Sequence, residues 1–125
     1  MALIPPEALP HVERMIYLPM VLIILEKDRK IVEDGKFKLK RPYIQLLDEV
    51  IKTAQAELQE TMIYLQRHHI KVSRGKTDDT FTEYVFLYGG YEEQRRYLNV
   101  RLRNKTEELL TSYFCATKKF KRTAD

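Results

Sequence analysis

Apolar side chains recur every three or four residues through the middle of the chain, at Tyr43, Leu47, Val50, Ala54, Leu58, Met62 and Leu65. That spacing places them on one stripe of a helix, widened by Leu46 and Ile51, with Lys52, Gln55, Glu57 and Glu60 opposite. Pro42 opens the element, since a first helical position has no N–H partner to lose. From Pro42 to Arg67 the helix spans about 39 Å at ~1.5 Å per residue, longer than a compact domain of this size needs. The pattern therefore predicts a break, or an end that meets a second copy of the chain.

Upstream, Met15 to Leu25 is the most apolar run and Pro19 interrupts it. A helix from about Pro19 to Glu33 follows, stopped by Asp34-Gly35. Its start is apolar on all sides, which predicts a place deep in the core. The run is about half of the ~20 apolar residues a bilayer span requires, and the charges from Glu26 to Lys30 end it. Residues 1–10 carry Pro5, Pro6 and Pro10 and predict an N-terminal arm, with a helical turn or two from His11 to Tyr17. Lys36 to Lys40 alternates basic with apolar, as a short edge strand or an extended linker does.

Beyond His68-His69 the period changes. Ile70 to Arg74 and the Thr/Phe/Tyr/Val-rich stretch Thr80 to Tyr88, separated by a turn at Gly75–Asp79, predict a β-hairpin ended by Gly89-Gly90. Two patterns then compete. Tyr91, Leu98, Leu102, Leu109 and Tyr113 share a helical face, whereas Leu98, Val100 and Leu102 alternate with Asn99, Arg101 and Arg103 as in a third strand. Residues 92–103 stay open between them. Asn104 and Glu107 have capping-box spacing for a helix ending near Ala116, and residues 117–125 form a basic tail. The expectation is an α+β, mostly helical fold. Helices, a small antiparallel hairpin or three-stranded sheet, and a C-terminal helix make one globular domain over residues 11–116. In topology alone this order resembles a winged-helix arrangement, although no glycine turn splits the long helix into a helix-turn-helix.

Composition narrows the class. With 125 residues, 44% hydrophobic and 32% charged, the chain suits one domain with one core. The single cysteine, Cys115, excludes an internal disulfide and suits a reducing compartment. Lys118 and Lys119 lie near it, but no histidine does, so it reads as a small apolar helical residue. No basic segment precedes the first apolar stretch, so a cytoplasmic protein with no membrane partner is expected.

Enzyme signatures are not found. The only paired glycines are Gly89-Gly90, no HExxH or CxxC occurs, and Ser73 and Ser112 sit in no nucleophile motif. His68 and His69 point about 100° apart on a helix, which suits a helix C-terminus better than one metal. No cofactor, metal or small-molecule substrate is expected. Basic clusters are the stronger signal in a chain of net charge +4. Arg74 and Lys76 lie at the hairpin, Arg95, Arg96, Arg101 and Arg103 follow it, and Lys118, Lys119, Lys121 and Arg122 form the tail. Tyr84, Tyr88, Tyr91 and Tyr97 are interleaved with them, as in surfaces that stack bases between cations. The first expectation is a non-enzymatic regulatory protein that binds nucleic acid, DNA for instance, through these residues. The alternative is a protein-binding adaptor or homodimeric interaction module, supported by the long amphipathic helix and eight tyrosines. Cations gathered on one convex face favour the first, and scattered cations favour the second.

Overall fold

The computed structural model describes residues 4–117. A 3-10 turn at Pro6–Ala8 leads into α1 (Leu9–Asp34) and α2 (Arg41–Arg67), followed by β1 (Ile70–Thr77), β2 (Phe81–Tyr88), β3 (Tyr91–Leu98) and α3 (Asn99–Ala116). The class is α+β and mostly helical, as the periodicity indicates. No helix-turn-helix is present among the described residues, because α2 runs unbroken for 27 residues.

α1 and α2 form an antiparallel hairpin. Leu18, Val21 and Leu25 of α1 meet Leu47, Val50 and Ala54 of α2 in one buried cluster. Ile16 and Tyr17 join Leu65, Ile70, Tyr84, Phe86 and Leu102 in a second cluster under the sheet. Helix α1 begins ten residues before Pro19 and passes through it. An interior proline removes one helical hydrogen bond, at a cost of about 3 kcal/mol. Burial of Val12, Ile16 and Leu18 before it and of Val21 after it offsets that loss. The expected N-terminal arm is likewise part of the packed unit, since Ile4 and Ala8 are buried in the second cluster. Pro6–Asp34 is long and apolar enough by composition to cross a bilayer, yet its buried side chains serve this core, which is compatible with a soluble protein.

On α2 the expected stripe needs correction at two places. Met62 and Tyr43 are 48% and 52% exposed, while Thr61 is fully buried. Met62 lies eight residues past Ala54, about 80° off the stripe, whereas Thr61, seven past, lies about 20° off. His68 caps the helix after Arg67, with His69 in the left-handed conformation (φ 55°). His68 Nδ1 lies 2.9 Å from the Tyr64 carbonyl, and His11, Tyr64 and His68 stack as a column with ring separations of 3.6 and 4.0 Å.

The sheet is an antiparallel meander in the order β1-β2-β3. Thr82, Tyr84 and Phe86 point inward, and Phe81, Glu83, Val85 and Leu87 point outward. Gly89 and Gly90, at φ 58° and 79°, continue the hairpin into β3 through a two-residue turn that requires both residues in the left-handed region. The alternation Leu98–Arg103 is therefore not a strand; β3 lies just before it, and α3 begins at Asn99 rather than Asn104. Lys36–Lys40 is a linker with no strand.

Two outcomes follow for stability. Thr61 Oγ1 is buried without a hydrogen-bond partner. Thr61→Val should leave unfolding free energy unchanged or raise it by up to about 1 kcal/mol in urea titrations. A loss above that would show that the hydroxyl has a partner. Desolvation, with Arg14 and His68 adding repulsion, holds His11 below its ordinary value of 6.5. The folded state therefore disfavours its protonation. The stability it contributes is complete above about pH 6.5 and is lost as pH falls toward the folded-state value. His11→Phe, which keeps the stack, should flatten the decline in melting temperature between roughly pH 7 and 5; an unaltered slope refutes this assignment.

Candidate functional site

The expected basic residues fall on different surfaces. In register, Arg74 of β1 and Arg95 of β3 flank the buried Tyr84, so both start from the inward face. Arg95 is held there. Its guanidinium donates to Glu93, lies 5.4 Å from the centre of the Phe86 ring, and adjoins Tyr97, which meets Tyr84 edge-on. Arg96 is on the outward face, opposite Glu83 and 4.2 Å from the centre of the Phe81 ring. Lys76 is exposed at the bulge between Arg74 and Thr77. On α3, Arg101 and Arg103 lie two residues apart, about 200° around the helix. Lys118, Lys119, Lys121 and Arg122 lie outside the described residues.

Two of these cations share one groove, with the Glu107 carboxylate on the same lining. Arg74 and Arg103 line one groove of about 510 Å³ between α1, α3 and the tip of the sheet. Its floor is apolar, formed by Met20, Ile23, Ile24, Leu102 and Leu110. Ile23 and Ile24 are 54% and 36% exposed. Arg74 Nη2 donates to Thr77 Oγ1 at 3.2 Å, and Arg103 has no ion-pair partner among the described residues. The size falls within the ~300–1,000 Å³ typical of ligand pockets, and an apolar floor with few polar groups is their usual make-up.

A polar latch sets the groove's shape. Asp78 Oδ1 accepts from the Thr80 and Phe81 amides at 2.8 and 2.7 Å, which hold its carboxyl below the usual range. Asn99, first residue of α3, donates from Nδ2 to the Asp78 carbonyl at 2.8 Å and accepts from Thr82 Oγ1 at 2.7 Å. Asp78 thus serves the turn. At the far end of α3, Tyr113 donates to Glu57 at 2.7 Å; burial first, then this carboxylate, push its phenol upward. Thr106, buried on α3, donates to the Leu102 carbonyl at 2.7 Å and faces Met20 Sδ.

Sequence reasoning missed the groove floor. The available signal was the surplus of apolar residues on α1, where Ile23 and Ile24 exceed what one buried stripe can hold. Cys115 lies in helix α3, as expected, and is exposed there. No cluster of three or more metal-ligating side chains occurs among the described residues. The placement of Arg95 predicts a structural role. Arg95→Ala should lower unfolding free energy by about 0.5–1 kcal/mol, through lost packing on Phe86 and the lost Glu93 pair. Arg101→Ala should stay within about 0.5 kcal/mol of the parent. Equal effects in chemical denaturation would overturn the distinction.

Comparison with known proteins gives a family. The sequence model of the family described as "YhjD protein" matches residues 3–118. A Bacillus subtilis (strain 168) protein, "Uncharacterized protein YhjD", is 41% identical over 105 residues, covering 84% of this chain and 88% of that protein. No solved structure matches. By the extent of both matches, this chain belongs to the YhjD family.

Proposed function

We propose that this chain is a non-enzymatic, cytoplasmic protein-interaction module whose docking face is the groove between α1 and α3. The observation that carries the reading is the open apolar floor of Met20, Ile23, Ile24 and Leu102, with Arg74 and Arg103 at its edge. Apolar side chains spaced along an amphipathic segment fit such a floor, and a carboxylate on that segment fits the two guanidinium groups. The dispersal of Arg95, Arg96 and Arg101 supports a protein partner over nucleic acid at this face. Phosphate binding draws its affinity from cations converging on one face, whereas Arg95 is tied inward and Arg96 and Arg101 point away from the groove.

The test is photo-crosslinking in cells from a benzophenone side chain at Ile23, alongside titration of the purified protein with DNA and RNA at low salt. A discrete protein adduct is expected, reduced about tenfold by Arg103→Glu, which removes a charge-assisted contact. No nucleic-acid binding is expected at low salt, where electrostatic attachment is strongest. Salt-dependent micromolar binding of DNA or RNA, with no adduct from Ile23, would restore the nucleic-acid reading and sink this one.

A further inference from the structure

The opposite end of the helical hairpin carries a second surface, independent of the groove. Along α1, the groove residues Ile23 and Ile24 lie ten to eleven residues before Asp34, roughly 15 Å from this tip. Between α1 and α2 the chain reads Lys36-Phe37-Lys38-Leu39-Lys40-Arg41, four cations and no carboxylate in six residues. Leu39 is 72% exposed and Phe37 44%. Ile31 and Tyr43 flank the tip and are also exposed, with the Tyr43 ring 5.4 Å from that of Phe37.

Of the acidic groups nearby, Asp28 lines the tip depression with no ion-pair partner among the described residues, and the other three are engaged. Glu33 and Asp48 share Arg29, at 2.8 and 2.6 Å, and Asp34 pairs with Lys30 at 3.6 Å. Lys40 Nζ caps the C-terminal end of α1 through the Glu33 carbonyl at 2.7 Å. Lys36, Lys38 and Arg41 have no ion-pair partner among the described residues. Phe114 of α3 lines the same depression as Ile31 and Tyr43. Only a few residues beyond it the sequence continues as Lys118-Lys119-Phe120-Lys121-Arg122.

We propose that the α1–α2 tip docks on an anionic lipid bilayer. This revises the sequence-based expectation of no membrane contact, in favour of binding at the surface rather than spanning. The occupant follows from shape and charge together. The tip is a connection between two helix ends, and Leu39, its most exposed apolar side chain, lies outside the depression lined by Ile31, Tyr43 and Phe114. Its cations complement lipid phosphates, each Lys or Arg near an anionic surface adding about a factor of five in affinity. Phe37 and Leu39 complement the acyl boundary beneath them, where the lysine stems extend their charges back to the headgroups. A soluble polyanion would engage the cations and leave Leu39 and Ile31 in water.

The experiment uses the full chain with sedimented vesicles of phosphatidylcholine, with or without roughly one-third phosphatidylglycerol, at near-physiological salt. Binding is expected only to the anionic vesicles. Lys36→Ala with Lys38→Ala should weaken it about thirty-fold. Phe37→Ser with Leu39→Ser should weaken it about tenfold, with melting curves unchanged because these side chains are exposed. The chain contains no tryptophan, so Phe37→Trp reports alone, and its emission should shift to the blue on anionic vesicles only. No cosedimentation overturns the proposal, as does parental affinity in either double variant. Binding of RNA at the same salt that needs the lysines but not Phe37 and Leu39 also overturns it, and identifies a nucleic-acid contact at the tip.

Discussion

The seam between α1 and α2 is the constraint on which every other element rests. Val21 and Ala54 are completely buried where the two helices meet, and Ala54 has no side chain beyond Cβ to hold them apart. From that contact the interface extends both ways. Leu25 and Leu47 continue it toward the tip, and Ile16 and Leu65 toward the sheet. The sheet has no second layer of its own, so Tyr84 and Phe86 are buried by Ile16 and Tyr17 of α1 and Leu65 of α2, with Leu102 of α3 beside them. Helix α3 depends on the same seam. Leu109 packs on both clusters, spanning the boundary between them.

Given that platform, a few polar contacts decide where the remaining pieces lie. Asn99 joins the β1–β2 turn, strand β2 and the start of α3 through its amide, its side-chain oxygen and its side-chain nitrogen. This fixes the N-terminal end of α3 beside Ile23 and Ile24 instead of over them. The groove is the space left by that offset. At the other end Tyr113 and Glu57 hold α3 to α2. Hydrogen bonds of this kind contribute only about 1 kcal/mol each to stability, yet they select one placement of α3 among several that bury similar apolar area.

How far the sequence reveals this arrangement differs by element, for physical reasons. α2 and the first hairpin are legible to within a few residues, because each has one periodicity and clear stops. The start of α1 is not, since Pro10 and Pro19 carry local signals that tertiary burial of Val12, Ile16 and Leu18 overrides. Strand β3 is obscured by its composition. Tyr91–Leu98 holds Glu92, Glu93, Gln94, Arg95 and Arg96 and pairs along one side only, so it lacks the apolar alternation of a buried strand. Of the candidate site, Arg74 and Arg103 are visible as basic residues, but nothing local to either says that they line one groove. That shared lining depends on a sheet turn and a helix start that only the fold brings together.

The two surfaces share one origin in α1. A helix apolar on all sides needs neighbours on all sides, and this fold supplies them on only part of its circumference. Ile23 and Ile24 are left at the groove, and Ile31, 65% exposed, near the tip. Single exposed apolar residues need no explanation, but these lie along one helix, Ile23 and Ile24 in the groove with Arg74 and Arg103, and Ile31 beside Lys27 and Lys30. If both proposals hold, the positions of both surfaces along α1 give the arrangement a consequence. With the basic tip on an anionic bilayer and the hairpin upright, Ile23 and Ile24 would lie roughly 15 Å from the tip, about two screening lengths from the lipid phosphates. Competition from those phosphates for Arg74 and Arg103 would then be weakened by screening, so a partner would still be recognised in the groove of the docked protein.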